Sequence, residues 1–148
     1  MAVAPLTQDS VALANRLRPV LLQLNRQLRR EVHLLGVSAG QVSILAAIRE
    51  KPGIGAAELA TREGTSVPSI CSHIDRLEAA GLVTRSREET GDRRRVGLRL
   101  TAEGERVLRA VRSRRTAWLS TRLDTLEPGD RARIDAAVDA LAELVEQR

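Results

Sequence analysis

The predicted fold is decided by residues 66–101, which read SVPSICSHIDRLEAAGLVTRSREETGDRRRVGLRLT. The first part of this stretch has the features of one helix. Ser66 is a favourable N-cap, and Pro68 is tolerated in a first turn because its missing N–H would have no intrahelical partner there. Gly81 favours the end of a helix. The sequence therefore predicts a helix that begins after Ser66 and stops before Gly81.

The second part of the stretch alternates as two β-strands do. Residues 82–87 and 95–100 carry β-branched and alternating apolar positions, and the turn-forming residues 88–92 separate them. The pattern predicts a β-hairpin directly after the helix, which is the order of elements in a winged helix. The loop of the hairpin contains three consecutive arginines, and arginine is favoured in the narrow minor groove of DNA.

The predicted helix has one apolar face and one polar face. Ile70, Ile74 and Leu77 recur at helical spacing and predict a buried stripe. Small hydroxyl side chains and two basic side chains share the other face: Ser69, Ser72, His73 and Arg76. Small hydroxyl groups let a helix approach a DNA groove closely, while Arg and His donate to phosphates or base edges. Taken alone, a solvated surface accounts for this face equally well.

The segments upstream favour the DNA interpretation. Ser38 and Gln41 match a capping box and predict a scaffold helix that ends near Lys51. Residues 54–65 predict a short helix that Gly64 ends, and the next helix follows almost at once, as in a helix-turn-helix pair. The combination predicts a winged helix-turn-helix that binds duplex DNA.

Charge is distributed unevenly along the chain of 148 residues. Residues 83–115 contain eleven arginines against five acidic residues, whereas residues 124–148 contain seven acidic residues against three arginines. A basic patch gains affinity for DNA through counterion release, and an acidic end is unfavourable near phosphates. The winged segment is therefore expected to face DNA and the C-terminal end to face away from it.

Both ends of the chain are predicted to be helical. Apolar residues with three-four spacing run from Ala14 to Leu35, and Pro19 is expected to kink this long helix. Further helices are expected from about Ala102 to Asp124 and after Pro128. Two-fold pairing is the commonest way to bury the apolar stripes of such helices, so we expect a homodimer. The alternative is a monomer whose end helices pack only on each other.

Three segments carry a family resemblance. Residues 77–83 read LEAAGLV, residues 92–94 read DRR and residues 100–104 read LTAEG. In this order they resemble the winged helix of the MarR (multiple antibiotic resistance regulator) family. The resemblance implies one domain over residues 1–148, mainly α with a small β-hairpin (α+β). It places the winged helix-turn-helix at residues 38–104, between dimerisation helices at residues 8–36 and 105–148.

The resemblance also implies a function and a set of contacts. Such proteins are most often repressors that bind a pseudo-palindromic operator as homodimers. In the wing, Arg94 would reach the minor groove, Asp92 would hold it, and Arg93 and Arg95 would contact adjacent phosphates. The residues expected in or beside the major groove are Ser66, Pro68, Ser69, Ser72, His73 and Arg76.

The resemblance further implies a regulatory ligand. In many relatives a small phenolic or lipophilic anion binds between the dimerisation helices and the winged helix. His33 and Trp118 are the candidate ligand contacts in this chain, although core packing explains both at least as well.

Other function classes find little support in the sequence. No Gly-x-Ser-x-Gly elbow, P-loop or dinucleotide fingerprint is present, so neither an enzyme nor a cofactor is predicted. The two histidines lack the spacing of metal ligands. The single Cys71 is interpreted as a small buried hydrophobe, and the alternative is a thiol beside the DNA face whose oxidation would release DNA. With no signal peptide or membrane-spanning stretch, a cytoplasmic location is expected. The alternative function is a winged helix that docks an acidic protein partner through its arginine-rich wing.

Overall fold

The computed structural model describes residues 7–87 and 96–146, and in these residues the chain forms six helices and a two-stranded antiparallel hairpin. The elements follow in the order α1 (Gln8–His33), α2 (Ala39–Glu50), α3 (Ala56–Glu63), α4 (Val67–Ala79), β1 (Val83–Arg87), β2 (Val96–Leu100), α5 (Ala102–Leu123) and α6 (Pro128–Glu146). The predicted fold class and order of elements are confirmed. Within the predicted wing tip, Asp92, Arg93, Arg94 and Arg95 lie outside the described residues.

The helix starts follow from local capping. Ser38 and Gln41 form the predicted capping box, in which the Ser38 hydroxyl accepts from the Gln41 N–H at 3.1 Å and the Gln41 side chain accepts from the Ser38 N–H at 2.9 Å. At the start of α1 the Thr7 hydroxyl accepts from the N–H of Ser10. Pro19 lies inside α1, which continues on both sides of it.

The turn between α3 and α4 allows two helices to follow each other closely. Gly64 adopts a left-handed conformation with φ of 64°, which costs glycine little because it has no β-carbon. The N–H of Thr65 then donates to the carbonyl of Ala60 at 3.0 Å, and Ser66 begins the next helix. The predicted helix-turn-helix is present.

Strand β2 also pairs with a residue outside the hairpin, which the sequence did not predict. Val83 pairs with Leu100 at the base of the hairpin, and Arg87 pairs with Val96 toward its tip. Leu98 also forms an antiparallel bridge with Ile54, in which the Leu98 N–H donates to the Ile54 carbonyl at 3.0 Å. The prediction that the helix starts at Ile54 was wrong, because Ile54 is extended and buried against β2 while α3 begins two positions later.

The apolar core lies in the middle of the chain. Its fully buried side chains come mainly from α2, α3, α4 and the hairpin, with Leu108 and Val111 contributed by α5. From α1 the core takes Val32, and α6 has no buried residue. The winged helix-turn-helix is therefore packed within one chain, whereas the terminal helices leave most of their apolar residues exposed.

An ion pair between Arg114 and Glu31 joins α5 to α1, with the Nε and Oε2 atoms 3.1 Å apart.

Within the described residues, no helix combines the length and apolar character needed to cross a bilayer.

Candidate nucleic-acid interface

The N-terminus of α4 is exposed and free of negative charge. The Ser66 hydroxyl accepts from the N–H of Ser69 at 3.3 Å, and Pro68 is the second residue of the helix. Both Ser66 and Pro68 are exposed, and no acidic residue lies in the first turn. The partial positive charge of a helix N-terminus attracts phosphate, so this end of α4 is well suited to approach DNA.

The two predicted faces of α4 are confirmed as a buried face and a more accessible one. Ile70, Ile74 and Leu77 are each 1% exposed. Ser72 and Arg76 are exposed, whereas Ser69 and His73 are half-buried. A helix fixed by a fully buried stripe presents its polar residues in a defined orientation, which base recognition requires.

His73 is more enclosed than a fully solvated face would suggest. Its Nδ1 atom is inaccessible to solvent and has no hydrogen-bond partner in the part of the chain that the structure describes. The rest of the ring is partly accessible, so contact with DNA would have to use the other side of the imidazole.

The described part of the wing is basic. Arg85, Arg87 and Arg99 lie on the two strands, and all three residues are exposed. Paired residues of an antiparallel hairpin share a face, so Arg99 lies with Thr84 on the side opposite to Val83 and Arg85. Arg87 adds a positive charge at the last residue of β1.

Arg85 forms a contact that sequence reasoning missed. Its guanidinium lies between two carboxylates of α4, with Nη2 at 2.6 Å from Oδ1 of Asp75 and Nη1 at 3.4 Å from Oε1 of Glu78. The hydrogen bond with Asp75 is the main cause of a raised pKa for Arg85. The spacing of Asp75 and Glu78 on one side of α4 was available in the sequence, but nothing local indicated that a strand residue would meet them.

The two candidate ligand contacts are not brought together. His33 is the last residue of α1 and is exposed. Trp118 is half-buried on α5, where the Arg122 guanidinium stacks over its ring at 3.6 Å from the centroid. Trp118 and Arg122 line a groove of about 340 Å³ against the middle of α1, at Val20 and Leu24.

A second cavity, of about 260 Å³, lies between α2 and α5. Its apolar lining includes Val42, Leu108 and Leu119, and three arginines share it: Arg49, Arg112 and Arg115. The Nε atom of Arg115 is buried and has no hydrogen-bond partner among the described residues. A cavity with apolar walls and guanidinium groups suits an organic anion, because a guanidinium can pair with a carboxylate while the apolar wall contacts the body of the ligand.

No group of three or more His, Cys, Asp or Glu side chains that could hold a metal ion occurs within residues 7–87 and 96–146. Cys71 is half-buried rather than fully buried, so its predicted role as a buried hydrophobe is met only in part.

The sequence is similar to those of known transcriptional regulators. The family model of the MarR family matches residues 37–96. An HTH-type transcriptional regulator of Mycobacterium bovis is 31% identical over 135 residues, covering 91% of this chain and 94% of the relative. The transcriptional regulator HosA of Escherichia coli is 34% identical over 103 residues, covering 68% of this chain and 76% of the relative.

Solved structures share the fold. A protein of Pseudomonas aeruginosa described as a transcriptional regulator superposes with a TM-score of 0.82 at 28% identity, covering 97% of this chain and 100% of the other. A MarR family protein from Bacillus stearothermophilus gives a TM-score of 0.79 at 22% identity, with 97% and 100% of the two chains covered. The S. aureus protein MepR, in a mutant form bound to an oligodeoxyribonucleotide, gives 0.70 at 16% identity, with 90% and 97% covered.

The match to regulators extends beyond the winged helix, since the mycobacterial relative aligns along nearly the whole chain. The chain belongs to the MarR family of transcriptional regulators and has that family's winged-helix DNA-binding fold.

Proposed function

We propose that the protein is a repressor, not an enzyme, that reads a pseudo-palindromic operator as a homodimer. The observation that carries this proposal is the construction of α4. Its apolar stripe is fully buried, while its N-terminus, Ser72 and Arg76 are accessible and no acidic residue occupies its first turn. The oligodeoxyribonucleotide bound to MepR, a protein of the same fold, supports DNA as the partner.

The two contact elements are assigned to different grooves. Ser66, Pro68, Ser69, Ser72, His73 and Arg76 of α4 and its cap would lie in or beside the major groove. Arg94, oriented by Asp92, would enter the minor groove, and Arg93 and Arg95 would contact the phosphates beside it. This division lets base edges be read by the helix while the wing reads groove width and backbone.

The terminal helices supply the proposed dimer interface, within residues 8–36 and 105–148, on either side of the DNA-reading residues 38–104. Exposed apolar side chains on α1 include Leu21 and Leu22, and those on α6 include Ile134 and Val138. In addition, α1 has five arginines against two acidic residues, whereas α6 has five acidic residues against two arginines. Apolar stripes with opposite charge favour pairing between α1 of one copy and α6 of the other.

Release from DNA is assigned to a small organic anion with an aromatic or lipophilic body. The cavity between α2 and α5 supports this choice, because its lining combines apolar side chains with Arg49, Arg112 and Arg115. It lies between a scaffold helix of the DNA-reading part and a helix of the proposed dimer interface. A ligand wedged there would change the separation of the two recognition helices, which must match one turn of DNA.

The groove assignment is tested by methylation interference. Dimethyl sulfate modifies guanine N7 in the major groove and adenine N3 in the minor groove, so one reagent reports on both. For a duplex selected from a random pool, we expect guanine interference within each half-site and adenine interference beside it. The Arg94→Ala variant should lose the adenine interference and keep the guanine interference. Interference at neither position would overturn the proposal.

A further inference from the structure

Arg85 links the wing to the recognition helix. It lies in the middle of β1, on the same face of the hairpin as the buried Val83 but one step nearer the wing tip. Its register partner is Leu98 on β2, which is itself buried. The backbone under Arg85 is therefore anchored, while its side chain extends toward α4.

The guanidinium joins two turns of α4 to the wing. Asp75 and Glu78 are three residues apart and thus neighbours on one side of the helix. Arg85 donates to both, with contacts of 2.6 Å and 3.4 Å. Among the ion pairs of the described residues, these are the ones that connect the recognition helix with a strand.

Stability alone does not account for this contact. The three side chains are 37%, 64% and 42% exposed for Arg85, Asp75 and Glu78, and exposed ion pairs contribute little to folding. The contact matters instead for the orientation of the wing. Val83 holds the base of the hairpin in the core, and the bridge from Leu98 to Ile54 attaches β2 to the body. The contact of Arg85 with α4 attaches β1 at the same level, so the hairpin is held from both strands.

We propose that Arg85, Asp75 and Glu78 form a clamp that fixes the wing relative to the recognition helix, so that both elements fit their grooves at once. Arg85 acts as a positioning residue for the DNA reading proposed above, on which this inference rests. The single positive charge of Arg85 also partly neutralises the two carboxylates, which would otherwise repel DNA phosphates more strongly.

The clamp has two effects: it orients the wing, and it partly neutralises the carboxylates of α4. Variants of the clamp residues are expected to behave differently according to which effect they change. Arg85→Gln removes the clamp and one positive charge. The double variant Asp75→Asn with Glu78→Gln weakens the clamp and removes two negative charges. Arg99→Gln is the matched control, because it removes the same charge from the opposite face of the hairpin, away from α4.

Hydrogen exchange tests the clamp without DNA. In Arg85→Gln and in the double variant, we expect amides at residues 86–87 and 96–97 to exchange at least about threefold faster, with α4 amides unchanged. Arg99→Gln should exchange as the wild type does. Wild-type rates in both clamp variants would overturn the inference, whether or not the protein binds DNA.

DNA binding then separates orientation from charge. Arg85→Gln should lower the preference for operator over scrambled duplex about tenfold and lose minor-groove interference, while Arg99→Gln weakens both duplexes equally. The double variant should also lose minor-groove interference, although it repels phosphates less. Tighter binding with intact minor-groove interference would show that Arg85 only screens charge and would contradict the clamp. If the wild-type protein binds operator and scrambled duplex equally well, the proposed function is refuted. The hydrogen-exchange rates alone would then decide whether the clamp exists.

Discussion

A β-carbon on residue 104 would overlap the carbonyl oxygen of Leu82, so Gly104 lets the first turn of α5 lie directly against the chain leaving α4. Thr101 completes this junction. Its N–H donates to the same Leu82 carbonyl at 3.1 Å, and its hydroxyl donates to the Gly81 carbonyl at 2.6 Å. The recognition helix, the wing and α5 therefore meet at one tightly packed point.

Gly104→Ala is expected to lower the free energy of unfolding by about 2 kcal/mol, because backbone atoms rather than a flexible side chain oppose the added methyl group. Gly129→Ala is the control, since nothing lies within 4 Å of the corresponding position in the first turn of α6. That variant should be neutral or slightly more stable. Urea unfolding of both proteins measures the difference, and equal midpoints would contradict the packing described at Leu82.

Capping and DNA contact are separable at Ser66. Ser66→Ala removes the acceptor of the Ser69 N–H and should lower stability by about 1 kcal/mol, whereas Ser66→Asn retains a cap and should fold as the wild type does. Because the longer Asn side chain changes the surface offered to the major groove, we expect altered operator preference in both variants. Thermal unfolding combined with DNA selection checks the two effects. An alanine variant of unchanged stability would refute the capping role.

The proposed dimer interface predicts a contrast between two positions of α6. Val138→Asp places a charge on the exposed apolar stripe and should shift the protein from dimer to monomer in sedimentation equilibrium. Ala136→Asp adds the same charge on the opposite side of the helix and should leave the dimer intact. Raised salt should also weaken the dimer, since α1 and α6 carry opposite charge. Equal masses for the two variants would argue against pairing through this stripe.

The cavity between α2 and α5 should select organic anions. Benzoate and octanoate are expected to weaken operator binding, while the neutral analogues benzyl alcohol and octanol should be much less effective. Arg115→Met keeps the apolar stem and removes one guanidinium from the cavity lining, so its response to the anions should fall about tenfold. Trp118, the single tryptophan, provides a fluorescence signal for binding. An undiminished response in Arg115→Met would place the ligand elsewhere.

Local signals explain why most of the fold could be predicted from the sequence. The Ser38 capping box, the Gly64 turn and the buried stripe through Ile74 depend on residues within one or two helical turns, so each could be identified without the rest of the chain. The pairing of Ile54 with Leu98 could not be predicted, because it joins segments on opposite sides of α3 and α4.

For the candidate site, the sequence predicted which residues share a helix face. It did not predict which residues of other elements they contact. Helical spacing grouped Ser69 with His73, but it could not show that the His73 ring is partly enclosed by packing. For the same reason the contact of Arg85 with Asp75 and the burial of the Arg115 Nε atom had no sequence signal. Both depend on how separately predicted elements are brought together.

Sequence reading by a dimer, through α4 and the wing, is tested most directly by a titration of DNA. The best duplex from a random pool is compared with its scrambled counterpart at two salt concentrations. We expect an inverted repeat bound at least about a thousandfold more tightly than the scramble, with both weakened by salt and the preference retained. Equal, weak binding of both duplexes that disappears at modest salt would contradict sequence reading and indicate a basic surface that docks an acidic protein.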